Sequence, residues 1–296
     1  MGNLIKAEFR KILTTKMWWA LLIPAVLLAF GYAFALGKGV TSIGDFIKND
    51  GTLQKAGVNV DNISIGVFAL SRSINITSVF PMLFGALGLS SELHRRTITT
   101  TFLTASSRAA VLSAKAVVYV LWGLIYGVII SGMVAAGTAA ATGGNYLPDA
   151  GGFILILLAG VIECLLWTLL GLGFGALLGS PIGSVLILAI YAIAVEPVLD
   201  LVLHNTVAGI LPNGAADGVT GATAGQILID QLQSLAHSPL AQVMGPDNWN
   251  AFLFSIRAAA GGIGALDWWA SGLVFLGWAM LFFGIGLFRN HTRDIT

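Results

Sequence analysis

Glu163, Glu196, Asp200 and His204 are the side chains whose placement invites chemistry. Glu163 stands in the otherwise uncharged run 153–179. A carboxylate in a membrane-like segment is costly, and by default it marks a function. The competing reading is a protonated or hydrogen-bonded Glu163 that fixes packing against a Ser, Thr or Tyr of another helix. Both readings stay open. A proton relay is disfavoured, because one carboxylate makes a poor relay. Glu196, Asp200 and His204 follow one another at helical-turn spacing, as metal ligands can. Pro197 disturbs that turn, however, and no fourth ligand is visible. The preferred reading of Glu196 is a solvated end of a helix, and no metal is expected.

No catalytic constellation appears. The chain lacks the G-x-x-x-x-G-K-[ST] phosphate loop, so it cannot bind ATP by that route. It also lacks His-Glu-x-x-His, paired cysteines and the G-x-S-x-G elbow. Its histidines are scattered at positions 94, 204, 237 and 291, and its one cysteine, Cys164, cannot form an internal disulfide. No catalytic residue and no cofactor of its own are expected.

The remaining candidate is a stretch rather than a cluster. Residues 92–115 begin at Glu92 and hold Arg95, Arg96, Arg108 and Lys115 around a Thr-rich centre that starts at Thr97. Ile98 and Phe102 are one turn apart, with Leu103 beside them. They would give a short helix one apolar face for a partner. An ordinary basic loop explains Arg95 and Arg96. It does not explain the apolar residues set between basic clusters.

The elements around this stretch follow from composition. The chain is 56% hydrophobic and only 10% charged, with mean hydropathy +0.87, against about 25% charged residues in average soluble domains. A net charge of +1 argues against nucleic-acid binding. Uncharged windows, divided at Gly143-Gly144-Asn145 and Gly179-Ser180-Pro181, give six spans near 17–37, 74–91, 116–141, 153–179, 182–203 and 268–288. Each is close to the roughly 20 residues that cross a bilayer core. The runs are too continuously apolar for barrel strands, so helices are expected.

Basic residues set the orientation. With the N-terminus inside, the inner segments carry Lys6, Arg10, Lys11, Lys16, Arg95, Arg96, Arg108, Lys115, Arg289 and Arg293 against Glu8, Glu92 and Asp294. The outer segments are acidic. Both termini are then cytoplasmic. Trp18-Trp19 and Trp268-Trp269 fall at span ends, where aromatic belts belong.

Residues 3–16 read as an interfacial helix. Ile5, Phe9, Ile12 and Leu13 form one stripe, while Lys6, Arg10 and Lys11 face away. The apolar run that follows is long for a signal peptide, and position 6 lacks the Ser or Thr of a myristoylation site. Pro81 should kink span two near its middle. The glycines Gly123 and Gly127, and Gly171, Gly175 and Gly179, at four-residue spacing, predict close helix packing and a candidate dimer face. Residues 38–72 read as an outer loop. Residues 205–266 read as an outer cap, gate or re-entrant hairpin. A turn is expected at 211–214, then a Gly, Ala and Thr-rich stretch, a short helix through Leu228, Leu232 and Leu235, and another from Trp249 to Ala260.

The expected fold is an all-α membrane protein in a single domain, 1–296. It has six transmembrane helices, the N-terminal interfacial helix, a coupling helix between spans two and three, and an outer helical segment between spans five and six. This order resembles the bacterial ABC-2-type transporter permeases. Glu92, Arg95, Thr97, Leu103, Arg108 and Lys115 look like that family's pattern E-x-x-x-G-T…L…P-x-S-R…K, and Val195-Glu196-Pro197 adds to the likeness. Arg96 stands where Gly is usual, and Ser106 where Pro is usual.

The resemblance implies a permease subunit of an exporter in a bacterial cell membrane, working with two separate ABC ATP-binding subunits and a second permease copy or paralogue. ATP and magnesium would sit in those ATPase subunits. Residues 92–108 would couple the two parts, with the 3–16 helix beside them. Cargo would be a drug, antibiotic, lipid or glycan, and the apolar spans suit a hydrophobic or amphipathic one. Two other functions remain open from the sequence: an ion-coupled secondary transporter using Glu163, and a non-transporting membrane sensor.

Overall fold

The computed structural model describes residues 2–51, 63–98, 107–203, 205–233, 239–262, 264 and 266–292. Every regular element in them is helical. α1 is Gly2–Thr14, α2 Met17–Asn49, α3 Val67–Thr77, α4 Val79–His94, α5 Arg108–Thr142 and α6 Ala150–Leu178. α7 is Pro181–Ile190, followed by a π-helical turn, Tyr191–Val195, and α8, Glu196–Val202. α9 is Asn205–Ala208, α10 Pro212–Gln233, α11 Pro239–Ala259 and α12 Trp268–Thr292.

Six helical stretches are long and apolar enough to cross a membrane: Met17–Asn49, Val67–His94, Ala109–Thr142, Ala150–Leu178, Pro181–Asp200 and Trp268–Arg289. This is the character of a multi-pass membrane protein, with the number of spans expected from the sequence. The two sides of the bundle follow from contacts. α1, the end of α4 and the α6–α7 turn line one groove, and Arg289 near the C-terminus donates to the Leu177 carbonyl at the end of α6 (2.6 Å). We call this side the terminal face. On the far face Gly66 N–H donates to Tyr146 O (2.8 Å), and Ser64 N–H to Gln231 Oε1 (2.7 Å).

Span four (α6) is the hub. It packs against α4, α5, α10 and α12. The close approach is made by glycines. A Cβ on Gly127 would stand 2.7 Å from Val161 Cα, and one on Gly123 2.9 Å from Leu165 Cα. Gly171 and Gly175 lie against the backbone carbonyls of Met82 and Ala86. These glycines therefore join spans of the same chain rather than forming a dimer face. Gly179 does another job: with φ 67° it ends α6 in the left-handed conformation.

Several boundaries differ from the sequence expectation. α2 continues to Asn49, about 50 Å at 1.5 Å per residue, so much of the expected 38–72 loop is helix. Its far end is held by the Tyr146 hydroxyl, which donates to Asp45 Oδ1 (3.0 Å). Span two breaks at Ser78, between α3 and α4, rather than at Pro81. Proline lacks an N–H and crowds the carbonyl four residues back, here Thr77, so the disturbance falls one turn early. Pro197 acts likewise on span five. The turn before it widens to a π-helix, with Glu196 N–H bonded to Tyr191 O.

The largest difference lies at 205–233. The expected turn at 211–214 is the start of α10, and the Gly, Ala and Thr-rich stretch is its body. Gly214, Gly218, Gly221 and Gly225 recur at helical spacing. They let α10 close on Ala208, Ser271, Gly261–Gly262 and Arg257 respectively. Leu228 and Leu232 are buried within this one helix, while Leu235 lies outside the described residues. The helix expected over 249–260 is the second half of α11, after a break at Gly245 (φ 75°).

Candidate functional site

The terminal face is built around Lys115. The sequence placed it in a loop. It stands instead in the first turns of α5, because Ser107 caps that helix by accepting from Ala110 N–H (3.1 Å). The Lys115 side chain is fully enclosed. Its Nζ donates to Glu8 Oε2 of α1 (2.5 Å) and to Glu92 Oε1 of α4 (2.7 Å). Lys11 Nζ lies 2.6 Å from the same Glu92 oxygen. Two cations and two anions thus join three helices in a balanced group, the condition under which buried charge is tolerated.

Apolar contacts fix the same three elements. Phe9 of α1 stacks on Trp122 of α5 at 5.7 Å, and Trp122 also meets Phe84 of α4 at 5.8 Å. Trp18 meets Trp122 at 5.5 Å, and its carbonyl accepts from the Tyr126 hydroxyl (2.5 Å). Ile12 is buried and Ile5 partly so, while Leu13 and Arg10 are exposed. An interfacial position is expected for the stripe of α1; Phe9 and Ile12 of it pack on the chain's own bundle, while Leu13 stays exposed.

α4 ends in a defined motif. Arg96 N–H donates to Leu93 O (3.3 Å) and Thr97 N–H to Glu92 O (3.1 Å). This is the Schellman pattern, which asks for a left-handed residue at its pivot. That residue is Arg96, with φ 57°. Ile98 follows and is buried. Phe102 and Leu103 lie outside the described residues, as does the Arg108 side chain. A groove of about 610 Å³ opens beside this motif. Ile12, Met17 and Leu87 line it together with Lys11, Lys16 and Arg95, and Ile182 of α7 closes its far side.

Glu163 sits at the opposite side of the bundle's interior, fully buried on α6. The Thr220 hydroxyl of α10 donates to its Oε2 (2.9 Å). The Asn75 amide of α3 satisfies this group only with its nitrogen turned inward. It then donates to Glu163 Oε2 (3.1 Å) and to Ser71 O (3.0 Å), and meets the Thr220 hydroxyl. Beside it Arg72 faces Asp217 at 3.6 Å and donates to the carbonyls of Ala258 and Ala259, each at 2.7 Å. Burial pushes the Asp217 carboxyl up to about 7, against the pull of Arg72. Glu163 thus has the hydrogen-bonded partners that one of its two readings required, and one of them comes from α10.

Glu196 departs from expectation. Instead of being solvated, it is buried. Its carboxylate accepts from Asn213 N–H (2.9 Å) and Gly214 N–H (2.7 Å), the free donors at the start of α10. It is therefore a tie between span five and α10. His204 lies outside the described residues.

The sequence reading missed Glu8, Lys11 and Lys115 as a group, and with them Thr220, Asn75, Arg72 and Asp217. Glu8 could have been found, since it shares a helical face with Ile5 and Ile12 and so interrupts an apolar stripe. The Glu163 partners carry no such signal, because they come together only when α10 folds onto α3 and α6. Comparison with protein-family models and with curated proteins gave no match to this chain.

Proposed function

We propose that this chain is the membrane-spanning permease subunit of an ATP-driven ABC exporter of the ABC-2 type, in a bacterial cell membrane. The terminal face is its cytoplasmic side, where two separate ATP-binding subunits dock. A second permease copy or a paralogue completes the assembly. ATP and magnesium belong to the docked subunits, and this chain supplies no catalytic residue.

One observation carries the reading. Lys115, Glu8, Glu92 and Lys11 lock α1, the end of span two and the start of span three into a single charged unit. The 97–107 connection leaves from that unit. Glu92 and Lys115 stand on the helices of spans two and three themselves, so a push on the connection is passed to both spans. The basic terminal face, the six spans and the resemblance of the 92–115 stretch support the same assignment.

The test is Phe102→Asp in the assembled complex. Coupling requires that ATP hydrolysis persist while transport is lost, with membrane insertion unchanged. Transport that stays in proportion to hydrolysis removes the 92–108 stretch from the coupling role.

A further inference from the structure

A second cavity, of about 600 Å³, lies away from the terminal face, between spans one, two and five under the start of α10. Its volume is in the range of pockets that hold drug-sized ligands, roughly 300–1,000 Å³. The walls are apolar: Leu28 and Tyr32 from span one, Phe80 and Met82 from span two, and Ile193 from the π-helical turn of span five. Trp167 of span four also lines it, and its buried indole N–H has no hydrogen-bond partner among the described residues. The polar end is made by Arg72, Asn75, Asn213 and Asp217.

The charges around that end are unequal. Asp217 is the carboxyl that lines the cavity, and behind it Glu163, Glu196 and Asp200, from two further elements, act on it through their charge. Arg72 answers them, but its guanidinium is already committed to the carbonyls of Ala258 and Ala259. Lys38 of span one lies over the Phe34 ring at 5.5 Å. Glu196 is engaged by the N–H groups of Asn213 and Gly214. Asp217, whose nearest cation is 3.6 Å away, is the carboxyl that both lines the cavity and holds a loose ion pair.

We propose that this cavity binds a cationic amphiphile: a small molecule whose apolar body lies along Phe80, Met82 and Trp167 and whose positive head faces Asp217. The inference rests on the export reading and names its cargo class. It does not depend on the ATPase subunits, so it is tested on the chain alone. A bound cation favours the ionised carboxylate, and binding tightens as Asp217 loses its proton.

The probe pair is tetraphenylphosphonium and tetraphenylborate, which share a shape and differ in sign. Binding is measured by calorimetry to the full chain in lipid nanodiscs, with empty nanodiscs as the reference. The phosphonium should bind at least about tenfold more tightly than the borate. Its affinity should rise about tenfold from pH 6 to pH 8, which is the change in ionised fraction for a group titrating near 7. Asp217→Asn should abolish that pH dependence and weaken binding. Ala192→Phe, which fills the cavity and leaves its charges alone, should weaken binding as well. Equal binding of the two ions, uptake no greater than by empty nanodiscs, or affinity unchanged in both variants overturns the proposal. Because no nucleotide is present, these results stand apart from any failure of ATP coupling.

Discussion

Lys115 and Glu8 are 107 positions apart in sequence and meet as a buried ion pair at 2.5 Å. Lys115 leads into span three, and Glu8 belongs to the helix that precedes span one. The pair therefore sets where α1 rests against the bundle. Glu92, bonded to the same ammonium group at 2.7 Å, adds the end of span two. Three elements far apart along the chain share one charged centre, and the terminal face is built around it.

Removing that centre should be severe. Lys115→Met leaves Glu8 and Glu92 buried without their main counter-charge, a change that typically costs about 3–5 kcal/mol. Unfolding of the purified protein in detergent is expected to show a loss of that size. Adding Glu8→Gln should recover part of it, because one of the stranded charges goes. A loss below about 1 kcal/mol would mean that the group is solvated.

Arg96 offers the opposite test. It occupies a left-handed backbone position at φ 57°, which disfavours side-chain-bearing residues by roughly 1–2 kcal/mol. Arg96→Gly should stabilise the chain by up to about 1 kcal/mol, after the greater freedom of glycine in the unfolded chain is deducted. The same measurement in detergent checks it. A destabilised variant would show that the Arg96 side chain outweighs its backbone strain.

The two charged groups differ in how far the sequence disclosed them. Six spans were legible because an uncharged helix of about 20 residues is a one-dimensional signal. α1 was legible from its stripe, although its partner was not: an apolar face looks alike whether lipid or Trp122 covers it. α10 was misread because Gly, Ala and Thr in series resemble a loop. The recurrence of Gly214, Gly218, Gly221 and Gly225 at helical spacing was the overlooked signal. Glu196 was misjudged for a related reason, since its role depends on where α10 begins.

Asp217 predicts a dependence on pH. Its carboxyl is raised from 3.8 to about 7 in the folded chain. The folded state then holds the proton more tightly than the unfolded state, so stability falls as pH rises from about 4 to 7. The groups bearing on it are Arg72 from α3, Glu196 and Asp200 from span five, and Glu163 from span four. The protection of α10 amides against hydrogen exchange, taken relative to their intrinsic rates at each pH, should fall across that window. Asp217→Asn should flatten the response, and an unchanged slope in that variant would assign the titration elsewhere.

We propose that nucleotide-hydrolysing subunits docked at the terminal face do work on this chain. Liposomes holding the chain with the ATPase that co-purifies from native membranes, and liposomes holding the chain alone, are loaded with tetraphenylphosphonium and followed for its movement. Nucleotide-dependent movement by the complex is expected, with the chain alone giving no more than the passive leak of protein-free liposomes. Movement by the chain alone above that leak, driven by an ion gradient without nucleotide, would contradict this proposal.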